Sequence, residues 1–185
     1  LADLQIIDLS PDDNAAIHQT AALLLAAFGH LASGWQTMEA ALAEVRESFE
    51  IGRISRIAVE ESGQVVGWIG AIEQYNGHTW ELHPLVVHAD WRGQGIGRAL
   101  VQDLEAQVRQ RGAITLYLGT DDEDNRTSLS GVDLYPNLFE QIANIKNLGN
   151  HPYEFYQKLG FVIVGVMPDA NGFGKPDIFM AKRLR

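Results

Sequence analysis

Thr79-Trp80-Glu81-Leu82-His83-Pro84-Leu85-Val86-Val87-His88, followed three residues later by Arg92-Gly93-Gln94-Gly95-Ile96-Gly97, is the stretch on which the fold turns. Its first part has the aromatic and β-branched content of a strand. Pro84 sits in the middle, where it has no N–H for the ladder, so a break or bulge is expected there. Beyond the glycines, Leu100, Val101, Leu104 and Val108 recur at helical spacing and Gly112 stands where a C-terminal cap belongs, which predicts a helix over 95–111. A glycine-rich turn between strand and helix has two readings. It is a tight turn only, or a cradle in which backbone N–H groups and the positive helix N-terminus meet a phosphate. Two rival phosphate motifs fail on spacing. The glycines run Gly-x-Gly-x-Gly with no acidic residue about 20 positions on, against a dinucleotide fingerprint, and Arg98-Ala99 stands where a Walker loop needs Lys and Ser or Thr.

Outward from this stretch the chain reads as alternating helices and strands. A strand is expected over 4–9, then a turn with a helix cap in Ser10-Pro11-Asp12-Asp13, and a helix over 15–28. A second helix is expected over 37–49, with Met38, Leu42, Val45 and Phe49 on its core face. Strands over 56–60 and 64–72 are joined at Glu61-Ser62-Gly63, a hairpin connection. After the central stretch come a buried strand over 114–118, an acidic polar loop over 119–131 and a helix over 134–145. A helix over 152–159 that opens on Pro152 and closes at Gly160 follows, with strands over 161–167 and 177–182. No internal repeat or low-complexity linker intervenes. The expectation is a single α/β domain over 1–185, a mixed and mostly antiparallel sheet of about six to seven strands flanked by helices.

Composition narrows the chemistry. The 185 residues carry a net charge of −10 and no cysteine. Thiolate catalysis, iron–sulfur ligation and zinc ribbons are therefore excluded, and no metal is expected. The acidic balance argues against nucleic acid as the main partner, because that binding rests on Lys and Arg displacing counterions. It favours a cationic partner, or serves only to keep the surface soluble. No apolar run approaches the roughly 20 residues of a membrane span, and Leu1-Ala2-Asp3-Leu4 lacks a basic leader region. A cytoplasmic protein without a membrane partner is expected.

The glycine loop after Leu85-Val86-Val87 resembles the acetyl-CoA pyrophosphate loop of the GCN5-related N-acetyltransferases (GNAT). Four blocks extend the likeness to the aminoglycoside 6′-N-acetyltransferases within them: 80–87, Ile114-Thr115-Leu116-Tyr117-Leu118-Gly119-Thr120-Asp121-Asp122, His151-Pro152-Tyr153-Glu154-Phe155-Tyr156 and 170–178. The first 60 residues carry no such signature. The resemblance implies acetyl-CoA as cosubstrate, held by Leu85, Val86, Val87, Arg92, Gly93, Gln94, Gly95, Ile96, Gly97 and Arg98. It implies Glu81 as base, with His83 beside it, the Leu85 N–H on the thioester oxygen and Tyr156 as the acid that protonates the leaving thiolate. A homodimer is expected on the same ground.

Amide formation needs these roles filled, since a protonated amine must lose its proton and the thioester carbonyl must be polarised. Glu81 and His83 are two apart on one strand and so share a face. Each residue also has an ordinary reading: a solvated strand carboxylate for Glu81, a half-buried histidine for His83, a core aromatic for Tyr156, with Tyr153 close by. For a polycationic aminoglycoside the expected binding groups are Glu81, Asp121, Asp122 and Asp133, with Gln74 or Glu73 lining the pocket. Glu123 and Asp124 belong to the same acidic loop, which is otherwise just a solvated turn. Trp35 stacks on a sugar or covers the core. Two other functions stay open on the residues, transfer to another amine such as a polyamine or peptide, and a non-catalytic acyl-CoA-binding module.

Overall fold

The structure, a computed structural model, describes residues 4–185; Leu1-Ala2-Asp3, from the start read as lacking a leader, lies outside them. The chain divides into two compact units, 4–116 with Leu184 and 117–183 with Arg185.

In the first unit, strand β1 (Gln5–Asp8) leads to α1 (Asn14–Phe28), whose start is fixed by Asp13 accepting a hydrogen bond from the Ala16 N–H at 2.9 Å. The apolar run of α1 is core: Ala21 and Leu24 are fully buried, and Thr20 is buried with its hydroxyl donating to the Ala16 carbonyl at 2.8 Å. Helix α2 (Met38–Glu47) begins where Thr37 accepts from the Ala40 N–H. Its fully buried stripe is Ala41 and Val45, with Leu42 and Phe49 packed partly against the same cluster. Met38 was expected on that face and is exposed instead, because the chain reaches the core only one turn later, at Ala41. Strands β2 (Arg53–Val59), β3 (Val65–Gln74) and β4 (Thr79–Val87) follow, and β1-β2-β3-β4 is the antiparallel order. The hairpin at 61–63 closes as expected, with Gly63 N–H donating to Glu60 and Glu60 N–H to Gln64. Helix α3 (Ile96–Gln110) packs on β2, β3 and β4 through Ile96, Leu100, Val101, Leu104 and Val108. Trp68 of β3 lies in the core under α1 and α2, while Gly67 lies against Leu100 and Ile96 of α3. Adjacent strand residues point to opposite faces, so β3 is covered on both.

Strand β5 (Thr115–Asp121) begins at the end of the first unit and continues into the second. It runs three residues further than expected, because Leu116, Leu118 and Thr120 keep alternating inward past Gly119, where the polar sequence predicts a loop. The second unit then holds α4 (Leu138–Ala143), α5 (Tyr153–Gln157), β6 (Val162–Met167) and β7 (Asp177–Arg183), with strand order β5-β7-β6 and β6 antiparallel to β7. The helix expected over 134–145 is shorter. A 3₁₀ turn at Tyr135–Asn137 containing Pro136 precedes α4, and Asn137 at φ −142° breaks the helical path. Seven strands, mostly antiparallel, with flanking helices make the α/β class that was expected. Among the described residues no helix is long and apolar enough to cross a membrane.

Candidate active site

Strand β4 carries the site of the first unit. Residues 79–87 alternate half-buried and buried without interruption, yet the pairing with β3 slips by one: Ile69 stands opposite Leu85, but Ala71 opposite Leu82. The extra residue is the bulge expected at His83-Pro84. Gly70 makes room for it, since a Cβ there would come within 2.4 Å of the His83 carbonyl oxygen. Partners opposite each other share a face, so the slip switches faces. Glu81, opposite Ile72, is on the Trp68 side with α1 and α2; Leu85, opposite Ile69, is on the Gly67 side with α3.

Glu81 lies close enough for its charge to act on the His83 imidazole, and three further side chains adjoin the two. The Gln74 amide donates to Glu81 Oε2 at 3.5 Å. Glu44 of α2 places Oε1 3.5 Å from His83 Nε2, and its Oε2 accepts from the Trp35 indole N–H at 3.2 Å. The Trp35 ring lies tilted against the imidazole at 5.9 Å between centroids, itself edge-on to Phe28 at 5.6 Å. Trp35 is thus part of this cluster as well as partial cover for the core. Hydrogen bonding to Glu44 raises the His83 pKa above its ordinary value, with burial opposing and the Glu44 and Glu81 charges assisting. The same bond lowers the Glu44 pKa, against its own burial.

Downstream, the chain after β4 makes a 3₁₀ turn at Ala89–Trp91 and enters α3 through glycines in the left-handed region, Gly93 at φ +75° and Gly95 at φ +87°. The Arg92 Nε–H donates to the Val87 carbonyl at 3.2 Å and the Gln94 amide to the Asp90 carbonyl at 3.2 Å, which ties the loop to itself. Buried Ile96 seats the helix start, while Arg92, Gly93, Gln94, Gly95 and Arg98 are exposed and Gly97 is half-buried. No side chain caps α3 and no acid stands in its first turn. The N–H groups of Ile96, Gly97 and Arg98 have no carbonyl one turn earlier to receive them. That combination suits an anion at the helix N-terminus.

In the second unit the acidic loop is largely self-organised. Asp122 was expected to hold substrate, but it is 1% exposed: Oδ1 accepts from the Arg126 N–H at 2.7 Å, Oδ2 from the Thr127 N–H and hydroxyl at 2.8 and 2.7 Å. Its acceptor sites are spent on shaping the loop. Glu123 is buried as well, with its carbonyl taking the Lys175 ammonium at 2.6 Å, and Asp124 pairs with Arg126. Asp121 is exposed and accepts a hydrogen bond from the Asn171 amide. Asp133 is exposed too, its Oδ1 receiving the Tyr135 N–H. Tyr156 is buried between Phe155 and Phe161, both edge-on, and burial pushes its phenol well above the ordinary tyrosine range.

A family model for the acetyltransferase (GNAT) family matches residues 23–135. The chain belongs to this family. Among solved structures, an aminoglycoside 6′-N-acetyltransferase complexed with coenzyme A is 45% identical, with TM-score 0.91 over 98% of this chain and 97% of that one. The aminoglycoside 6′-N-acetyltransferase from Enterococcus faecium is also 45% identical, with TM-score 0.87 and the same coverage. An acetyltransferase of Pectobacterium atrosepticum is 28% identical over 98 residues, 53% of this chain and 65% of that protein, so the match spans less than two thirds of that relative's length.

Within this GNAT chain, the loop and β4 were marked by sequence; Glu44 was not. It stands on α2 in Glu39-Ala40-Ala41-Leu42-Ala43-Glu44, where nothing in spacing separates it from a solvated helix carboxylate. The one available signal was the neighbouring stripe: Ala41 and Val45 face the core, and Glu44, 15% exposed at its side chain, flanks them.

Proposed function

We propose that this protein transfers the acetyl group of acetyl-CoA to the 6′-amine of aminoglycosides by direct attack in a ternary complex. The observation that carries this reading is the 45% identity over 98% of the chain to an aminoglycoside 6′-N-acetyltransferase that holds coenzyme A. The loop 92–98 takes the pyrophosphate of acetyl-CoA on glycine-flanked N–H groups and the positive end of α3. Leu85, Val86 and Val87 take the pantetheine arm, and the Leu85 N–H polarises the thioester oxygen as it gains charge. Glu81, oriented by Gln74, accepts the proton of the attacking ammonium, directly or through water. The amine nitrogen then bonds to the thioester carbon, the carbon–sulfur bond breaks, the sulfur takes a proton from Tyr156, and the second proton of the nitrogen, lost as the amide forms, restores the phenol through water, so that one proton net leaves by way of Glu81.

Asp121, Asp133 and Gln74 are the proposed groups for the drug's ammoniums and hydroxyls, with Asp122 supporting Asp121 from beneath the loop. We propose one catalytic domain over 1–185 that works in the cytoplasm, where acetyl-CoA is available. It forms a homodimer; the exposed Phe139, Val162, Val164 and Phe173 of the second unit are apolar surface that a second copy would cover. Thiol release from acetyl-CoA tests the reaction. Release is expected with kanamycin-type drugs bearing a 6′-amine and absent with 6′-hydroxyl analogues; release with polyamines or peptides alone would move the substrate, and silence with every amine would leave a binding module. A sedimentation mass equal to one chain would remove the dimer.

A further inference from the structure

Among the groups around Glu81, the carboxylate of Glu44 is committed on both oxygens, to His83 on one and Trp35 on the other. It comes from α2, a different element from β4, and its side chain is 15% exposed against 40% for His83. A carboxylate so placed holds the imidazole by its Nε2 and leaves Nδ1 as the ring nitrogen for a ligand. It also sets charge. The charged groups acting on His83 are Glu44 from α2, Glu81 from β4 and Arg53 from β2, and Arg53 opposes the other two. An imidazolium standing alone beside Glu81 would repel a polycation; with Glu44 behind it, the pair is neutral and Glu81 keeps its attraction for an incoming ammonium.

Resting on the acetyl-transfer reading above, we propose that Glu44, steadied by Trp35, is a positioning residue for that reaction: it fixes the orientation and proton of His83 and compensates its charge, so that the substrate amine meets Glu81 without a net positive neighbour. Helix α2 thereby enters the acceptor side of the site, in a part of the chain outside the four blocks that carry the resemblance to the aminoglycoside 6′-N-acetyltransferases.

The test is Glu44→Gln, followed by two readouts. In the full-length protein without substrate, the NMR titration midpoint of the His83 ring is expected to fall in E44Q and to recover partly in Glu44→Asp. With acetyl-CoA and a 6′-amino drug, kcat/KM is expected to fall about 10-fold, the range met when an outer partner that orients a working histidine is lost. The fall should lie in kcat for the drug, with KM for acetyl-CoA unchanged and the histidine-linked limb of the pH profile moved to lower pH. Should E44Q not fold, E44D carries both readouts, with smaller shifts in the same direction. A wild type that turns over, beside a folded E44Q whose titration or whose kcat/KM is unmoved, would overturn this role alone. A wild type that releases no thiol with any amine would overturn the acetyl-transfer reading and this role with it.

Discussion

Two histidines, one in each unit, are governed by opposite forces. His83 is half-exposed and faces a carboxylate, so its charged form is favoured. His151 is 2% exposed and faces backbone: its Nδ1 accepts from the Tyr153 N–H at 3.2 Å and its Nε2–H donates to the Asp121 carbonyl at 3.0 Å. Those two partners select the neutral Nε2–H tautomer, and burial holds the pKa below its ordinary value. The contrast separates a histidine kept for charge from one kept for architecture. Around the first are groups that a ligand can use; around the second are the turns that place Asp121 and the start of α5. The same division runs through the carboxylates, with Glu81 half-buried on β4 and Asp122 sealed inside its loop.

The sharpest way to break this division is to exchange its two consequences. Glu81→Gln should lower kcat by about 100-fold or more, the range for loss of a general base, while leaving the unfolding temperature close to wild type. Stopped assays and a thermal melt on the same preparation decide it, and a loss of stability comparable to the loss of rate would put Glu81 with the architecture. His151→Phe should do the reverse. It leaves the buried Tyr153 N–H and the partly buried Asp121 carbonyl without partners, at about 1–3 kcal/mol each, so a total of about 2–6 kcal/mol is expected in denaturant unfolding. Its pH signature has a definite sign. A histidine whose folded pKa is depressed loses stability as pH falls through the ordinary histidine range, because the unfolded chain then binds the proton that the folded one refuses. Wild-type stability should therefore decline below about pH 6.5, and H151F should lose that part of the slope. For the His83–Glu44 pair only the histidine side is reversed: its contribution fades as pH rises through the raised His83 value, and also as pH falls through the lowered Glu44 value.

Within the acidic loop the comparison can be made between neighbours. Asp122→Asn places a donor where Oδ1 or Oδ2 now receives one, and should cost about 1–3 kcal/mol through the broken contacts to Arg126 and Thr127. Asp121→Asn should leave the melt unchanged and raise KM for the drug less than about 10-fold, as for one exposed charge-assisted contact. Equal melts for the two would mean that the buried carboxylate does not organise the loop.

These neighbours also mark what could be read in the sequence. Strand β4, its bulge at Pro84 and the glycine entry to α3 were legible because each rests on local chemistry: a missing N–H, a residue type that tolerates positive φ, an apolar stripe. Asp121 and Asp122 were not separable, since adjacent positions differ only by which face of β5 they continue, and the loop was read as starting before that alternation had ended. The face switch in β4 was hidden for a related reason. Both faces of the sheet are covered, so burial alternates evenly across the bulge and the pattern alone gives no sign that Glu81 and Leu85 look in opposite directions. Glu44 reaches His83 through tertiary packing of α2, which no local pattern encodes. The helix over 134–145 failed on Pro136, whose ring favours a 3₁₀ start that leaves Phe139 in solvent.

The smallest effect belongs to Trp35. Trp35→Phe keeps a ring able to stand edge-on to Phe28 and against His83, and removes only the indole N–H that Glu44 Oε2 accepts. A single hydrogen bond to a charged acceptor in a partly exposed place should be worth about 1 kcal/mol, a shift of a few degrees in the melt of a chain this size. Its kinetic consequence depends on which half of Glu44 matters. If the carboxylate acts on His83 mainly through charge, W35F should barely move kcat, because Oε1 stays beside Nε2 with its charge intact. If Glu44 acts by fixing where the ring lies, the freed carboxylate can rotate, the imidazole loosens with it, and kcat should fall towards the E44Q value with no change in the His83 titration midpoint. Charge and orientation, joined in the wild type, are separated by that one variant.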